Sequence, residues 1–531
     1  MSAEGGILAH EAAPAASQKG APRPWWESRT FVTAMILLAL VPMVFPTVPP
    51  LVDVTGHMGR YRVELDLARS PELQRFFTFE WRLIGNLGVD LLVVPLNKLF
   101  GLEPSVKLIA MAIPPMTVAG FLWVAREVHN RLPPTAALAL PFAFAHPYLF
   151  GFLNFTLSMA LALLAFGLWL RLGRLGRTRL RALLFVPISF VVYICHTFGW
   201  GALGLLAFSA EAVRQHDRGI SWWKAGLKAA LHAATLAGPL VLMLAWRGEV
   251  SQGMTQDWFN WSIKALWLAM ALRDRWMTVD VLMVALPIAM LAFTLRDKRL
   301  TLSRNLAFSA LVLLGVYLLL PRIIFGSAYA DMRLMPFILA TALLAIRFRF
   351  ETDIKLARVF AMGAVGLFVA KVALTTASLA IAADRQNTLL AGLDQLPIGA
   401  ASITLVGELC EPQWALARNS HLAAMTTVRR DAFTNDQWAI EGANLLTVKY
   451  RAAAPFVADP SQMVKPNGCG NRERMEVDQA LARIPRGAVT HLWAIDLPPH
   501  DERLLDGMTP LWRGERTVLY AVDEKRNEEA Q

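Results

Sequence analysis

Apolar runs that cross or nearly cross a bilayer recur along residues 29–384, separated by connections of alternating character, a pattern few folds except a membrane helical bundle tolerate. The windows fall at about 31–48, 105–126, 134–149, 150–170, 182–195, 198–212, 225–246, 278–295, 305–321, 332–346 and 359–382, which predicts about 11 transmembrane helices. Every even-numbered connection is short and basic. Arg126 and Arg131 follow the second window, and Arg171, Arg174, Arg177, Arg179 and Arg181 the fourth. Arg214, Arg218 and Lys224 follow the sixth, Arg296, Lys298, Arg299 and Arg304 the eighth, and Arg347, Arg349, Lys355 and Arg358 the tenth. The positive-inside rule then predicts a multi-pass protein of a bacterial inner membrane with a cytoplasmic N-terminus and an extracytoplasmic C-terminal segment.

Composition supports this assignment. Only 18% of residues are charged, whereas a soluble chain carries about a quarter. The net charge of +11 is unevenly spread: residues 1–382 hold 36 basic and 21 acidic residues, residues 383–531 hold 16 and 20. The basic excess belongs to the loops between apolar runs. With no zinc-ligand spacing, glycine-rich phosphate loop or basic-aromatic stripe, the charge gives no reason to expect nucleic acid.

Residues 1–28 read as a disordered cytoplasmic tail. The first apolar run is followed by PTVPP rather than a small-residue cleavage site, which favours a retained signal anchor. The helical domain of residues 29–384 carries two long outer loops, 49–104 and 247–277. The first has amphipathic periodicity and a second apolar piece containing Asp90, expected to be interfacial or re-entrant; the second is rich in Trp. Residues 385–531 read as a small extracytoplasmic α/β domain, with strands in ASITLVGEL, HLWAIDL and TVLYAV and a helix over 478–484. Cys410 and Cys469 lie in this domain, where an oxidising compartment permits a disulfide, whereas Cys195 falls within a span.

Charged and polar residues beside the apolar runs gather on the predicted outer side. PPLVDVTGHMGRY brings Asp53, His57 and Arg60 directly after the first span. Asn154 follows His146 in AHPYLFGFLNF, His196 sits in YICHTFGW, and Arg322, Asp331 and Arg333 fall in PRIIFGSAYADMRLMP. Such groups are costly at a membrane helix end unless paired or used, and their convergence on one face describes a cavity with chemistry. Bland roles exist for each: Asp53 as an N-cap, Asn154 and His196 as interhelical hydrogen bonders, Asp331 with Arg333 as an internal ion pair.

PPLVDVTGHMGRY, HPYLFGFLNFTLSMALALLAFGLWLR, YICHTFGW and ADMRLMPF resemble segments of a bacterial family of multi-spanning membrane proteins of unassigned activity. The layout resembles the GT-C superfamily, polytopic glycosyltransferases that use polyprenyl-phosphate-linked sugars. The resemblance implies an inverting transfer to an extracytoplasmic acceptor, with Asp53 as the catalytic carboxylate and His57 orienting it or sharing a metal. It also implies substrate-binding roles for Arg60, Asn154, His196, Arg322, Asp331 and Arg333, some steadying the departing lipid phosphate. No acidic pair marks a metal site, since Val54 follows Asp53; the histidines leave a divalent metal open. Membrane lipid and a polyprenyl-phosphate sugar are the partners expected. A transporter and a non-catalytic envelope-assembly scaffold are the alternatives. Against the first, no paired broken helices occupy matching places in two halves; against the second, eleven spans exceed what anchoring needs.

Overall fold

The computed structural model describes residues 23–247, 254–324, 327–349, 354–438 and 445–523. Most of the N-terminal tail and residues 248–253 of the second long loop lie outside the described residues. The chain begins with α1 (Arg29–Leu38), capped where the Ser28 hydroxyl accepts the Phe31 amide, and the single turn α2 (Val41–Val44). The 49–104 loop folds into α3 (Val54–Asp66), α4 (Pro71–Phe76) and α5 (Gly88–Phe100). Then come α6 (Leu102–His129), α7 (His146–Phe150), α8 (Leu153–Arg174), α9 (Thr178–Cys195) and α10 (Thr197–His216). The bundle is completed by α11 (Trp222–Ala233), α12 (Pro239–Arg247), α13 (Trp261–Ala269), α14 (Met277–Arg296), α15 (Arg304–Leu319), α16 (Met335–Leu344) and α17 (Ile354–Leu390).

Among the described residues, five helices (α6, α8, α9, α14 and α17) are long and apolar enough to cross a membrane, and shorter apolar helices join them. Helical structure occurs in all eleven apolar windows, but four depart from a simple span. Window 31–48 breaks after the ten residues of α1 into the single turn α2. Window 134–149 is a 3-10 stretch, Ala136–Phe144, interrupted by Pro141 and followed by α7. Window 225–246 is divided around Gly238–Pro239 between α11 and α12, and window 332–346 holds only the ten residues of α16. Proline removes a ladder donor and clashes with the preceding turn, so hydropathy alone overstates such helices.

Close backbone approach holds the bundle centre. A Cβ on Gly120 of α6 would meet Leu163 Cβ of α8 at 2.7 Å, and one on Gly167 would meet Trp123 at 2.9 Å. Without a hydrophobic drive between helices in lipid, such small-residue contacts are the main packing device. They also set α6 and α8 parallel, so Glu103 and Asn154 lie at one end of the bundle and Glu127 and Arg174 at the other.

Three short strands lie in the helical part: β1 (Phe77–Phe79), β2 (Leu300–Leu302) and β3 (Ile346–Phe348), the last two paired antiparallel. The C-terminal domain adds β4 (Ser402–Gly407), β5 (Leu446–Val448), β6 (Met463–Lys465), β7 (Met475–Glu476), β8 (His491–Ile495), β9 (Met508–Gly514) and β10 (Thr517–Val522). Six of them form one mixed sheet in the order β7-β6-β4-β8-β10-β9, parallel from β7 to β8 and antiparallel beyond. The central strands β4 and β8 are buried on both faces, and the period of two divides them. Ile403, Leu405, Leu492 and Ala494 point into the domain's own core with Val477 and Leu481 of a short helix. Val406, Trp493, Ile495 and Leu519 join the core that runs into the bundle through Leu389 and Leu390. Cys410 and Cys469 are joined by a disulfide.

The domain is bound into the bundle. Helix α17, 37 residues and therefore about 55 Å long, outreaches a bilayer core and carries its last turns into the sheet. β1 pairs antiparallel with β5, Phe77 opposite Val448 and Phe79 opposite Leu446, which fixes the 49–104 loop to a segment some 370 residues later. Phe76, Phe77, Phe433 and Leu446 form a shared core beneath that pair.

Candidate functional site

The site is built around Asp53, at the N-cap position of α3. Its carboxylate makes no capping hydrogen bond, so the structural role expected of an N-cap aspartate goes unused. The backbone holds it instead. The Asp53 amide donates to Phe150 O at 2.9 Å, and Gly151 packs beneath it with φ +102°, where a Cβ would lie 2.8 Å from Asp53 N. The HPYLFG turn is therefore the seat of Asp53. Gly151→Ala combines a left-handed backbone with a clash against main chain, and is expected to cost more than the roughly 1–2 kcal/mol of a strained φ alone. Gly176, also at positive φ but with open space around it, provides the control. Equal thermal midpoints for Gly151→Ala and Gly176→Ala would show that the seat carries no strain.

Two further glycines admit the C-terminal domain. On one face of α3, a Cβ on Gly56 would meet the Trp438 ring at 2.7 Å and His421 Cβ at 3.2 Å; one on Gly59 would meet Ala424 Cβ at 2.9 Å. The spacing of three residues in TGHMG thus leaves a flat helix face for residues 421–438. Through it His421 reaches the site, its Nε2 lying 3.8 Å from Asp53 Oδ1 and 4.0 Å from Asp459 Oδ1, within ion-pair range but beyond hydrogen bonding. Trp438 lies between His57 and His421 with its ring tilted to both, the centroids 4.8 and 4.6 Å away.

Electrostatics follows from burial. Asp53 is held well above the ordinary carboxylate range, chiefly by desolvation and then by the negative charge of Asp459, with Arg333 opposing. Burial lowers both His57 and His421 below the ordinary imidazole range, with Asp459 opposing at His421. Asp436, which accepts the Ala424 amide at 2.8 Å and positions the 421–438 segment, is pushed up to about 8 by burial.

Beside Asp53 lies an arginine without a carboxylate. Arg333 has no ion-pair partner among the described residues and sits in a cage of Phe152, Phe155 and Phe198, 4.5, 5.9 and 5.5 Å from the ring centroids. Its Nη2 makes long bonds to Ser327 Oγ (3.3 Å) and Ala328 O (3.4 Å), and its buried Nε has no partner. Nη1 faces His196 Nε2 at 3.4 Å. His196 Nδ1, however, accepts the Phe198 amide at 3.1 Å and caps α10, so the ring hydrogen stands on Nε2. Two donors therefore face each other. An anion is what satisfies both.

His57 packs with Trp438 and Tyr61, and its Nδ1 has no partner; the imidazole at ion-pair distance from Asp53 is that of His421. Arg60 is paired with Asp90 at 2.8 Å, and Asn154 closes the same buried cluster, its Nδ2 3.2 Å from Asp90 and its Oδ1 accepting the Val89 amide. Arg322 is tied to Asp257 at 3.3 Å. Asp331 does not pair with Arg333: it takes Lys264 at 3.3 Å and the Trp267 indole at 3.1 Å. Among the described residues, no group of three His, Cys, Asp or Glu side chains is arranged to hold a metal ion. Nothing local in the sequence marks His421, Asp459 or Trp438, because each stands alone in a loop and only the docked glycine face brings it to Asp53.

No protein-family model matches the chain, and no curated protein matches it. Among solved structures it is similar to ArnT from Cupriavidus metallidurans bound to undecaprenyl phosphate, with a TM-score of 0.49 and 10% identity over 93% of this chain and 97% of that one. It is also similar to the apo state of the same protein, with a TM-score of 0.47 and 10% identity over the same shares.

Proposed function

We propose that the protein is an inverting membrane glycosyltransferase that moves a sugar from a lipid-phosphate donor to an acceptor hydroxyl, with the site on the outer face of the inner membrane. The observation that carries this reading is the pairing of two unlike features: a buried carboxylate freed from capping, and converging Arg333 and His196 donors that lack an acceptor. The first suits a base and the second a phosphate.

In the step proposed, Asp53 accepts the proton of the acceptor hydroxyl as its oxygen attacks the anomeric carbon. The bond from that carbon to the donor phosphate oxygen breaks, and its electron pair leaves on the lipid phosphate. Arg333 and the His196 Nε2–H meet the charge that develops there. His421, 3.8 Å from Asp53 and 4.0 Å from Asp459, closes the carboxylate side of the site, with Trp438 packed between it and His57. The basic connections support the topology that turns this end outward.

Arg333→Ala tests the donor side. It should weaken donor use by about tenfold to a hundredfold, the worth of hydrogen bonds to a charged group. Arg322→Ala, at an arginine already held by Asp257, should change donor KM little. Equal effects of the two substitutions would remove Arg333 from the phosphate position.

A further inference from the structure

At the end of the bundle away from Asp53, folding gathers Arg174, Arg181, Arg214, Arg304 and Arg347 from five elements around a cavity of about 360 Å³. Three acids share that lining. Glu127 takes Arg174 at 2.5 Å, Glu211 takes Arg181 at 2.9 Å and Arg214 at 3.4 Å, and Asp217 takes Arg304 at 2.6 Å. Five cations against three anions leave the cavity positive, and Arg347 has no ion pair among the described residues. Gly173 is what lets two of the guanidinium groups close in, since a Cβ there would stand 3.0 Å from Arg214 Nη1 and 3.1 Å from Arg181 Nη1.

Two lining residues carry buried polar atoms with no partner: the indole N–H of Trp169, on a fully buried ring, and the side-chain oxygen of Asn305. One is a donor and the other an acceptor. A buried N–H beside an excess of arginine calls for an anion, whereas the amide oxygen calls for a hydroxyl. The depth is marked as well. Trp222 and Trp223, at the start of α11 and five residues beyond Asp217, are 47% and 83% exposed, and Trp222 packs against Phe308 of α15, one turn from Asn305. Exposed tryptophans of this kind sit at the headgroup level of a bilayer.

We propose that this cavity binds a phosphate diester bearing hydroxyls, as presented by the headgroup of an anionic glycerophospholipid. In the topology proposed above the lipid comes from the cytoplasmic leaflet, but the binding does not depend on any chemistry at Asp53. Arg347 and Arg304 meet the phosphate, Trp169 donates to it, and Asn305 accepts a headgroup hydroxyl.

The test is native mass spectrometry of the full chain in detergent, titrated with phosphatidylglycerol or phosphatidylcholine, with thermal unfolding in inorganic phosphate alongside. One phosphatidylglycerol should be retained in preference to phosphatidylcholine. Arg347→Ala and, separately, Asn305→Ala should each weaken retention by about fivefold, the effect of one such contact near a charged surface. Asn305→Ala leaves the charge unchanged, so its effect separates a built site from general attraction. Stabilisation by inorganic phosphate equal to that by the lipid would assign the same cavity to a soluble phosphate compound. Equal retention of both lipids with no effect of phosphate, or retention unchanged in both variants, overturns the proposal. Sugar transfer can persist or fail independently of each of these readouts.

Discussion

Replacing Asp53 by asparagine is expected to lower sugar transfer by about 10²–10⁴-fold, the contribution of a positioned general base, while the protein remains folded. The structural reason for intact folding is specific. The carboxylate makes no capping bond, and the backbone seat on Phe150 and Gly151 involves only atoms that asparagine retains. Acidity adds a second signature. Because burial and Asp459 raise Asp53 in the folded protein, the fold binds its proton more tightly than the unfolded chain does. The stability contributed by this group is present at low pH and is lost as pH rises through the raised value. Under the proposed reading transfer runs the opposite way, since a general base works only when ionised. Wild-type activity should therefore climb through an acidic limb displaced upward from the ordinary carboxylate range, while stability falls across the same window. Asp53→Asn should flatten that stability change. Parallel pH profiles of activity and thermal midpoint check both signs.

The largest expected effect on stability lies at Arg418. Its guanidinium donates to Pro50 O, three residues before Asp53, and to Asp274 Oδ1 at 2.5 Å, with Ser378 also on Asp274 at 2.6 Å. The carboxyl side is extended by Asp280, which accepts the Asp274 amide and the Trp414 indole at 2.8 and 2.7 Å. Arg418 thus ties the C-terminal domain to the loop that carries Asp53 and to α17. Both side chains of the Arg418–Asp274 pair are nearly fully buried. Arg418→Ala leaves Asp274 buried without its cation, which typically costs about 3–5 kcal/mol. A sharply lower thermal midpoint is expected, with partial recovery in the Arg418→Ala, Asp274→Asn double variant, which removes the orphaned charge. An unchanged midpoint in Arg418→Ala would mean that water reaches the pair.

How much of this was written locally in the sequence depends on the range of the interaction. Apolar windows report themselves, because burial in lipid demands a continuous run, and helical structure lies in each of them. Where Pro141 or Gly238–Pro239 intervenes, backbone chemistry rather than hydropathy decides the outcome. The strands in ASITLVGEL, HLWAIDL and TVLYAV were legible from alternation and turn residues, as was the helix at 477–482. The pairing of β1 with β5 was not, because a three-residue strand carries no sign of a partner 370 residues away. The same holds for the site. Asp53, His196 and Arg333 stand out as costly groups at helix ends, but their neighbours are set by tertiary docking. Asp331 lies two residues from Arg333, yet Lys264 takes it, and that diversion is what leaves Arg333 without a carboxylate. Gly56 and Gly59 were the available clue to His421 and Trp438: two small residues one turn apart beside Asp53 imply that something packs there. They do not say what.

The most direct measurement reconstitutes the purified chain in liposomes with a polyprenyl-phosphate-linked radiolabelled sugar and a hydroxyl acceptor. Released lipid phosphate and glycosylated acceptor are counted together. The wild type should form one product with inverted anomeric configuration for each lipid phosphate released, and Asp53→Asn should form essentially none. Turnover by Asp53→Asn at the wild-type rate, or solute moved across the bilayer with the donor left intact, would contradict a transferase centred on Asp53.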